Sequence, residues 1–159
     1  FNHYTPLQMA FATSIIANEG KVNKPHFLDK VIDKNGVVLN TYKAESKEIP
    51  IPKSEMVFIK SAMQNVIRSG TAKAIGNDLE YTMAGKTGTA QVVALNKNSR
   101  TAKFAGEKYK DHSWFIAFAP VEKPEVAVAV MVEHDTAASH IARLLLDSYF
   151  TLYKDTAQS

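Results

Sequence analysis

The chain contains no cysteine, which removes thiol catalysis, disulfides and thiolate metal sites together. It also lacks any uninterrupted apolar run long enough to cross a bilayer, which takes about 20 residues. Any anchor or export signal is expected upstream of Phe1. The chain opens on that phenylalanine instead of Met and runs straight into a helix signal, the pattern expected of a piece of a longer polypeptide and equally of a processed or engineered start. Charge of one sign is not in large excess. A net charge of +3 over 159 residues suits the neighbourhood of an anionic polymer but does not make a nucleic-acid site. What is present is a folded globular composition, 45% hydrophobic and 22% charged, without repeats or low-complexity tracts.

The first helix is announced by Thr5, Pro6 and Gln8, a capping box with proline at the first helical position. Leu7, Phe11 and Ile15, with Ala10 and Ile16 beside them, form its expected buried face, and Asn18-Glu19-Gly20 its stop. Val31-Ile32 and Val37-Val38-Leu39 flank Asp33-Lys34-Asn35-Gly36, and the Asn-Gly pair predicts a hairpin. Ile49-Pro50-Ile51-Pro52 must be extended. A second amphipathic helix is predicted from about Ser54 to Arg68, with Met56, Ile59, Met63 and Val66 inward, and Thr71 to Ile75 adds a further turn.

Three strands are expected next, around residues 81–93, at Trp114-Phe115-Ile116-Ala117-Phe118 and at Val126 to Val132. The short link from Val121 to Glu125 makes the last two antiparallel. A final helix is predicted from about Ser139 to Tyr153, with Ile141, Leu145, Tyr149 and Leu152 in its stripe. The fold class is therefore α+β, an antiparallel sheet packed with helices.

Unusual chemistry and unusual backbone coincide at Gly85-Lys86-Thr87-Gly88-Thr89-Ala90. Lys86 brings a positive charge, Thr87 and Thr89 bring hydroxyls, and the glycines leave gaps against which a peptide can lie. A cation, two hydroxyls and free backbone N–H groups make a cradle for a carboxylate. Gly85-Lys86-Thr87 also matches the end of a nucleotide-binding P-loop. That motif needs glycine five positions earlier, where Glu80 stands, and a helix starting at the lysine, where a strand is predicted.

Lys-Thr-Gly is one of three elements of the penicillin-recognising serine site, beside Ser-x-x-Lys and Ser-x-Asn or Ser-x-Asp. Gly70-Thr71-Ala72 precedes it, Ala90-Gln91 follows it, and His112-Ser113-Trp114-Phe115-Ile116-Ala117-Phe118-Ala119-Pro120 lies on the next strand. With Tyr4-Thr5-Pro6-Leu7-Gln8-Met9-Ala10 and Asn18-Glu19-Gly20, the chain resembles, nearly end to end, the class B penicillin-binding proteins, and among them the penicillin-binding protein 2 branch of side-wall elongation.

The resemblance implies a peptidoglycan D,D-transpeptidase that cross-links stem peptides through an acyl-enzyme, is the target of β-lactams, and needs no cofactor. It implies that Lys86 raises the potential of the cleft and aids proton transfer to the leaving amine. Thr87 and Thr89 would bind the carboxylate of a stem peptide or β-lactam. The Thr89 N–H would be an oxyanion donor, and Gly88 would keep the strand surface low. It further implies the periplasmic face of a bacterial inner membrane and partners in a cell-elongation complex. Residues 1–159 would then be the C-terminal portion of the transpeptidase domain.

No serine here is followed by Lys at the third position, or by Asn or Asp at the second. Ser99 to Lys103 has a spacing of four, and Thr151-Leu152-Tyr153-Lys154 carries threonine. The nucleophile is thus expected upstream of Phe1, and this chain alone is expected to be inactive. Two other readings of the same residues remain: a non-catalytic sensor or binding module on this fold, and a β-lactamase or carboxypeptidase relative.

Other tempting residues read more plainly. His112, His134, Asp135 and His140 match no common zinc spacing, although His112 is expected to make a structural hydrogen bond. Lys97, Arg100, Lys103, Lys108 and Lys110, interleaved with Phe104 and Tyr109, read as a solvated loop instead of a nucleic-acid patch. By resemblance that loop borders the site entrance. Trp114, Met56 and Met63 read as core.

Overall fold

The computed structural model describes residues 4–92 and 110–156. Helix α1 (Pro6–Ala17) starts as the capping box requires: the Gln8 N–H donates to Thr5 Oγ1 at 3.2 Å, and the Thr5 N–H donates to Gln8 Oε1 at 2.9 Å. Glu19 and Gly20 then turn the chain with φ of 55° and 95°. The helix buries a face different from the expected one. Leu7 is 66% exposed, whereas Thr13 and Ala17 are buried. The helix is apolar on nearly every side, so a spacing of four does not select a stripe; the small residues win because they let α1 approach the sheet closely. The Thr13 hydroxyl is satisfied within the helix, donating to Met9 O at 2.7 Å.

Strand β1 (Lys21–Asn23) pairs with β4 (Ser46–Glu48), and between them β2 (Lys30–Ile32) and β3 (Val38–Thr41) form the expected hairpin. Asp33 Oδ1 accepts the N–H groups of Asn35 and Val37 at 2.8 and 2.9 Å, and Gly36 takes φ of 84°. Helix α2 (Lys53–Arg68) buries Met56, Lys60, Met63 and Ile67. The expected Ile59 and Val66 are only half-buried, because the stripe runs one residue further round and takes in a lysine. A 3₁₀ turn at Lys73–Gly76 follows.

The main sheet is antiparallel in the order β5 (Ala84–Ala90), β6 (His112–Ala119) and β7 (Val126–Val132). On one face Phe115, Ala117, Ala119 and Val130 pack with the 3₁₀ turn and with α3 (Ala138–Thr156). On the other, Ala84 and Phe118 pack with Ala17 of α1 and Met63 of α2. Helix α2 lies beside β5, giving Ile67 to the first layer and Met63 to the second.

Helix α3 is rotated relative to the sequence expectation. Ala138, Ala142 and Leu146 face the sheet, fully buried or nearly so, and Ile141, Leu145 and Leu152 point outward, with Leu145 half exposed. Alanines at intervals of four give the sheet a flat face to pack on, while the larger aliphatic residues carry most of the sequence signal. Strand β7 pairs with β6 alone among the described residues.

Candidate active site

Strand β5 positions every residue singled out above. Its register sets Lys86 opposite Ile116, Thr87 opposite Phe115, Gly88 opposite Trp114 and Thr89 opposite Ser113. Side chains alternate across a strand, so Thr87 and Thr89 share the Phe115 face, and Lys86 lies on the Trp114 face. Lys86, Gly88 and Thr89 are exposed and Thr87 is half-buried. The Lys86 ammonium folds back along the strand, donating to Thr87 O at 2.8 Å and reaching Thr87 Oγ1 at 3.5 Å. On its other side Thr87 Oγ1 lies 3.0 Å from Thr71 Oγ1. A cation and two hydroxyls thus converge on one spot at the surface.

The two glycines differ. A Cβ on Gly85 would lie 2.7 Å from Phe115 Cζ and 2.9 Å from Ile116 O, so this gap is filled by a buried ring of the core. A Cβ on Gly88 would meet Trp114 Cβ at 3.2 Å and nothing else closer than 3.9 Å. Gly88 is the less crowded of the two, with room over the strand beyond the close Trp114 Cβ. Trp114, expected in the core, is half-buried and borders that space. Gly85 alone would have suggested substrate access; the packing assigns it to the fold.

The entrance to β5 is built otherwise. Tyr81 donates to Asp147 at 2.7 Å, and Arg143 Nε lies 2.7 Å from both Asp147 oxygens. The same guanidinium donates to the carbonyls of Ile75, Asn77 and Asp78 at 2.9, 2.9 and 3.3 Å. Burial, and then the Asp147 carboxylate, push the Tyr81 hydroxyl well above the ordinary range, so it stays neutral. Asp78, Tyr81, Arg143 and Asp147 line a cleft of about 960 Å³ with Glu122 and Phe150. Its size invites a functional reading, yet Tyr81, Arg143 and Asp147 are already bonded to one another. The convergent groups at Lys86 and Thr87 lie outside it, and the candidate site is placed there.

The histidines serve the backbone. His112 Nδ1 accepts the His134 N–H at 3.1 Å, and His134 Nδ1 donates to Lys110 O at 2.7 Å. Among the described residues no group of three metal-ligating side chains gathers. Asp135 Oδ1 takes the N–H groups of Thr136 and Ala137, and Ser113 takes that of Ala138, closing the start of α3. The basic stretch with Lys97, Arg100, Phe104 and Lys108 lies outside the described residues.

Residues 2–147 match the penicillin binding protein transpeptidase domain. The chain belongs to that family. It is 38% identical over 156 residues to the peptidoglycan D,D-transpeptidase MrdA of Haemophilus influenzae, covering 91% of this chain and 23% of that protein. Among solved structures, the D,D-transpeptidase domain of an Eggerthella lenta peptidoglycan glycosyltransferase superposes with a TM-score of 0.75 at 26% identity, over 94% of this chain and 32% of the other. Penicillin-binding protein 2 of Helicobacter pylori, solved in complex with MreC, gives a TM-score of 0.65 at 30% identity, over 94% of this chain and 25% of that one. The chain therefore spans about a quarter of the length of the curated relative.

Proposed function

We propose that this chain is the C-terminal portion of a serine D,D-transpeptidase of the penicillin-binding protein 2 type, supplying the Lys86-Thr87-Gly88-Thr89 wall of its site. The observation that carries this reading is the exposed convergence of the Lys86 ammonium with the Thr87 and Thr71 hydroxyls at the open end of β5. An acceptor-only carboxylate finds a positive charge and an O–H donor there, which matches the stem-peptide or β-lactam terminus that such an enzyme must hold.

In the reaction, a serine on the upstream part of the protein would attack the penultimate peptide carbonyl and form an acyl-enzyme. The terminal D-residue would leave as its amine takes up a proton. A second stem peptide's amine would then take the acyl group and regenerate the serine. Within this chain Thr87 and Thr89 would hold the carboxylate and the Thr89 N–H would face the developing oxyanion. One such donor is typically worth about 10²–10³ in rate. Lys86 would set the local potential and help move the proton. Gly88 keeps the approach clear.

The absence of Ser-x-x-Lys, the outward apolar face of α3 and, among the described residues, the single pairing of β7 all support a larger domain that covers these surfaces. The MrdA relationship supports peptidoglycan as the substrate, and this reading implies stem peptides as the acyl donors and the periplasmic face of the inner membrane as the location. The Helicobacter pylori complex supports a partner of the MreC kind, and this reading implies a cell-elongation complex.

Fluorescent penicillin tests the reading. The full-length protein is expected to take the label, and residues 1–159 alone are expected to take none. A labelled band from the isolated chain would place the nucleophile here and overturn the upstream assignment. An unlabelled full-length protein would overturn the enzyme reading in favour of a binding module.

A further inference from the structure

We propose that Thr71 is a positioning residue of this site, whose hydroxyl donates to Thr87 and thereby commits the Thr87 proton to the substrate's carboxylate. The inference rests on the reading above that Thr87 receives a carboxylate. Thr71 lies 16 positions before Thr87 and outside the Lys-Thr-Gly stretch, yet their hydroxyl oxygens are 3.0 Å apart.

The direction of that bond follows from counting protons. A threonine hydroxyl has one proton to give and two lone pairs. The Lys86 ammonium, 3.5 Å from Thr87 Oγ1, can only donate. A carboxylate can only accept, so when one binds, Thr87 must turn its proton toward it. The Thr71–Thr87 bond then survives only with Thr71 as donor. Thr87 would accept from Thr71 and Lys86 and donate outward, with all of its capacity used. Without Thr71, the Thr87 rotor is held only by the long contact to the ammonium, and fixing it on binding costs free energy.

Thr71 is built to stay in place although it is exposed. It occupies the corner between α2 and the 3₁₀ turn, where the Gly70 N–H donates to Asn65 O at 3.0 Å and the Ala72 N–H to Val66 O at 3.2 Å. A Cβ on Gly70 would fall 2.7 Å from Val66 Cα, so the chain lies directly on the last turn of α2. Ala72, the next residue, is buried in the layer that holds Ile75 and Phe115. A β-branched side chain on so fixed a backbone has few rotamers to choose from.

The test uses the full-length protein and two probes, a penicillin and its methyl ester, and reads the ratio of their second-order acylation rates. That ratio isolates what the free carboxylate contributes. Thr71→Val is expected to lower it by about 3- to 10-fold, the value of one hydrogen bond, with the loss confined to the acid. Thr71→Ser, which restores the hydroxyl, is expected to keep the ratio within about 2-fold of the parent. Thr71→Ala gives the same comparison if valine disturbs the corner. Thr87→Val should collapse the ratio at least as far. If Thr87→Val collapses it and neither Thr71→Val nor Thr71→Ala lowers it, the positioning role is wrong. Equal slowing of acid and ester by the Thr71 variants would reduce Thr71 to a structural residue and also overturn it. If Thr87→Val leaves the ratio intact, the carboxylate reading itself fails, whatever Thr71 does.

Discussion

The two ends of the seven-residue strand β5 follow opposite designs. At the entrance, Arg143, Asp147 and Tyr81 tie α3 to the backbone at Ile75, Asn77 and Asp78. Thr82 takes the Val121 N–H at 2.8 Å and gives its own proton to Glu122. At the exit, Lys86, Gly88 and Thr89 stand in solvent, and the polar contacts are the short set among Lys86, Thr87 and Thr71. A strand braced at one end can hold an open surface at the other without collapsing onto it. The difference separates residues that hold the strand from residues that present it.

Exchanging the two cations tests this most sharply. Lys86→Met in the full-length protein is expected to slow penicillin acylation by about 10²–10³. Its melting temperature should move little, because the ammonium is exposed and, among the described residues, bonded to its neighbour alone. Arg143→Met should do the reverse. It frees three carbonyls and leaves Asp147 without its charge partner, costing about 2–3 kcal/mol of stability, while acylation of the folded fraction stays near the parent rate. Acylation kinetics beside thermal unfolding separates the two. An Arg143 variant that folds normally but loses acylation would erase the distinction between the ends.

The glycines give a second, smaller contrast. Gly85→Ala drives a methyl into Phe115 and the Ile116 carbonyl, and should cost about 1–3 kcal/mol as an overpacked core does. Gly88→Ala needs Trp114 to give only a few tenths of an ångström. It should leave stability nearly unchanged, and it should weaken penicillin capture only if a ligand passes over the Lys86 face of the strand, on which this methyl would stand. Urea unfolding and label competition on both variants measure the pair.

Much of the presenting end was legible in the sequence and little of the bracing end was. Lys86-Thr87-Gly88-Thr89 is contiguous, and its strand context was readable from the residues around it. The capping box at Thr5 and Gln8 and the turn at Asn35-Gly36 are equally local. Arg143, Asp147 and Tyr81 come from distant segments and carry no motif. A helical Arg-Asp pair four apart reads as an ordinary surface ion pair until its carbonyl partners are known. Lys60 was hidden because periodicity counts apolar residues, whereas its ammonium reaches Ala17 O and Glu19 through a buried stem. The buried faces of α1 and α3 escape an apolar pattern for the opposite reason. Alanine and threonine weigh little in an apolar pattern, yet close packing against a sheet favours them.

Acid is the mildest way to loosen the bracing end. Glu19 receives Lys53 at 2.9 Å and Lys60 at 3.1 Å, and Lys60 stands 5.9 Å over the ring of Phe118, the partner of Ala84 at the entrance of β5. The hydrogen bond from Lys53, then that from Lys60, hold the Glu19 carboxyl below its ordinary value of 4.5 against the opposing effect of burial. Glu122 is also lowered, first by the Thr82 hydroxyl and then by its own backbone N–H, with the charges of Arg68 and Lys60 adding less. A carboxyl with a depressed folded value binds its proton more readily when unfolded. Both groups therefore contribute fully above about pH 4.5, and the contribution is lost as the pH falls through their folded values. Stability should decline on that acid limb, and Glu19→Gln should both lower stability at pH 7 and flatten the limb. Thermal unfolding of the full-length protein between pH 3 and pH 7 measures it. An unchanged slope in Glu19→Gln would detach this pair from the brace and leave Arg143 to hold the strand alone.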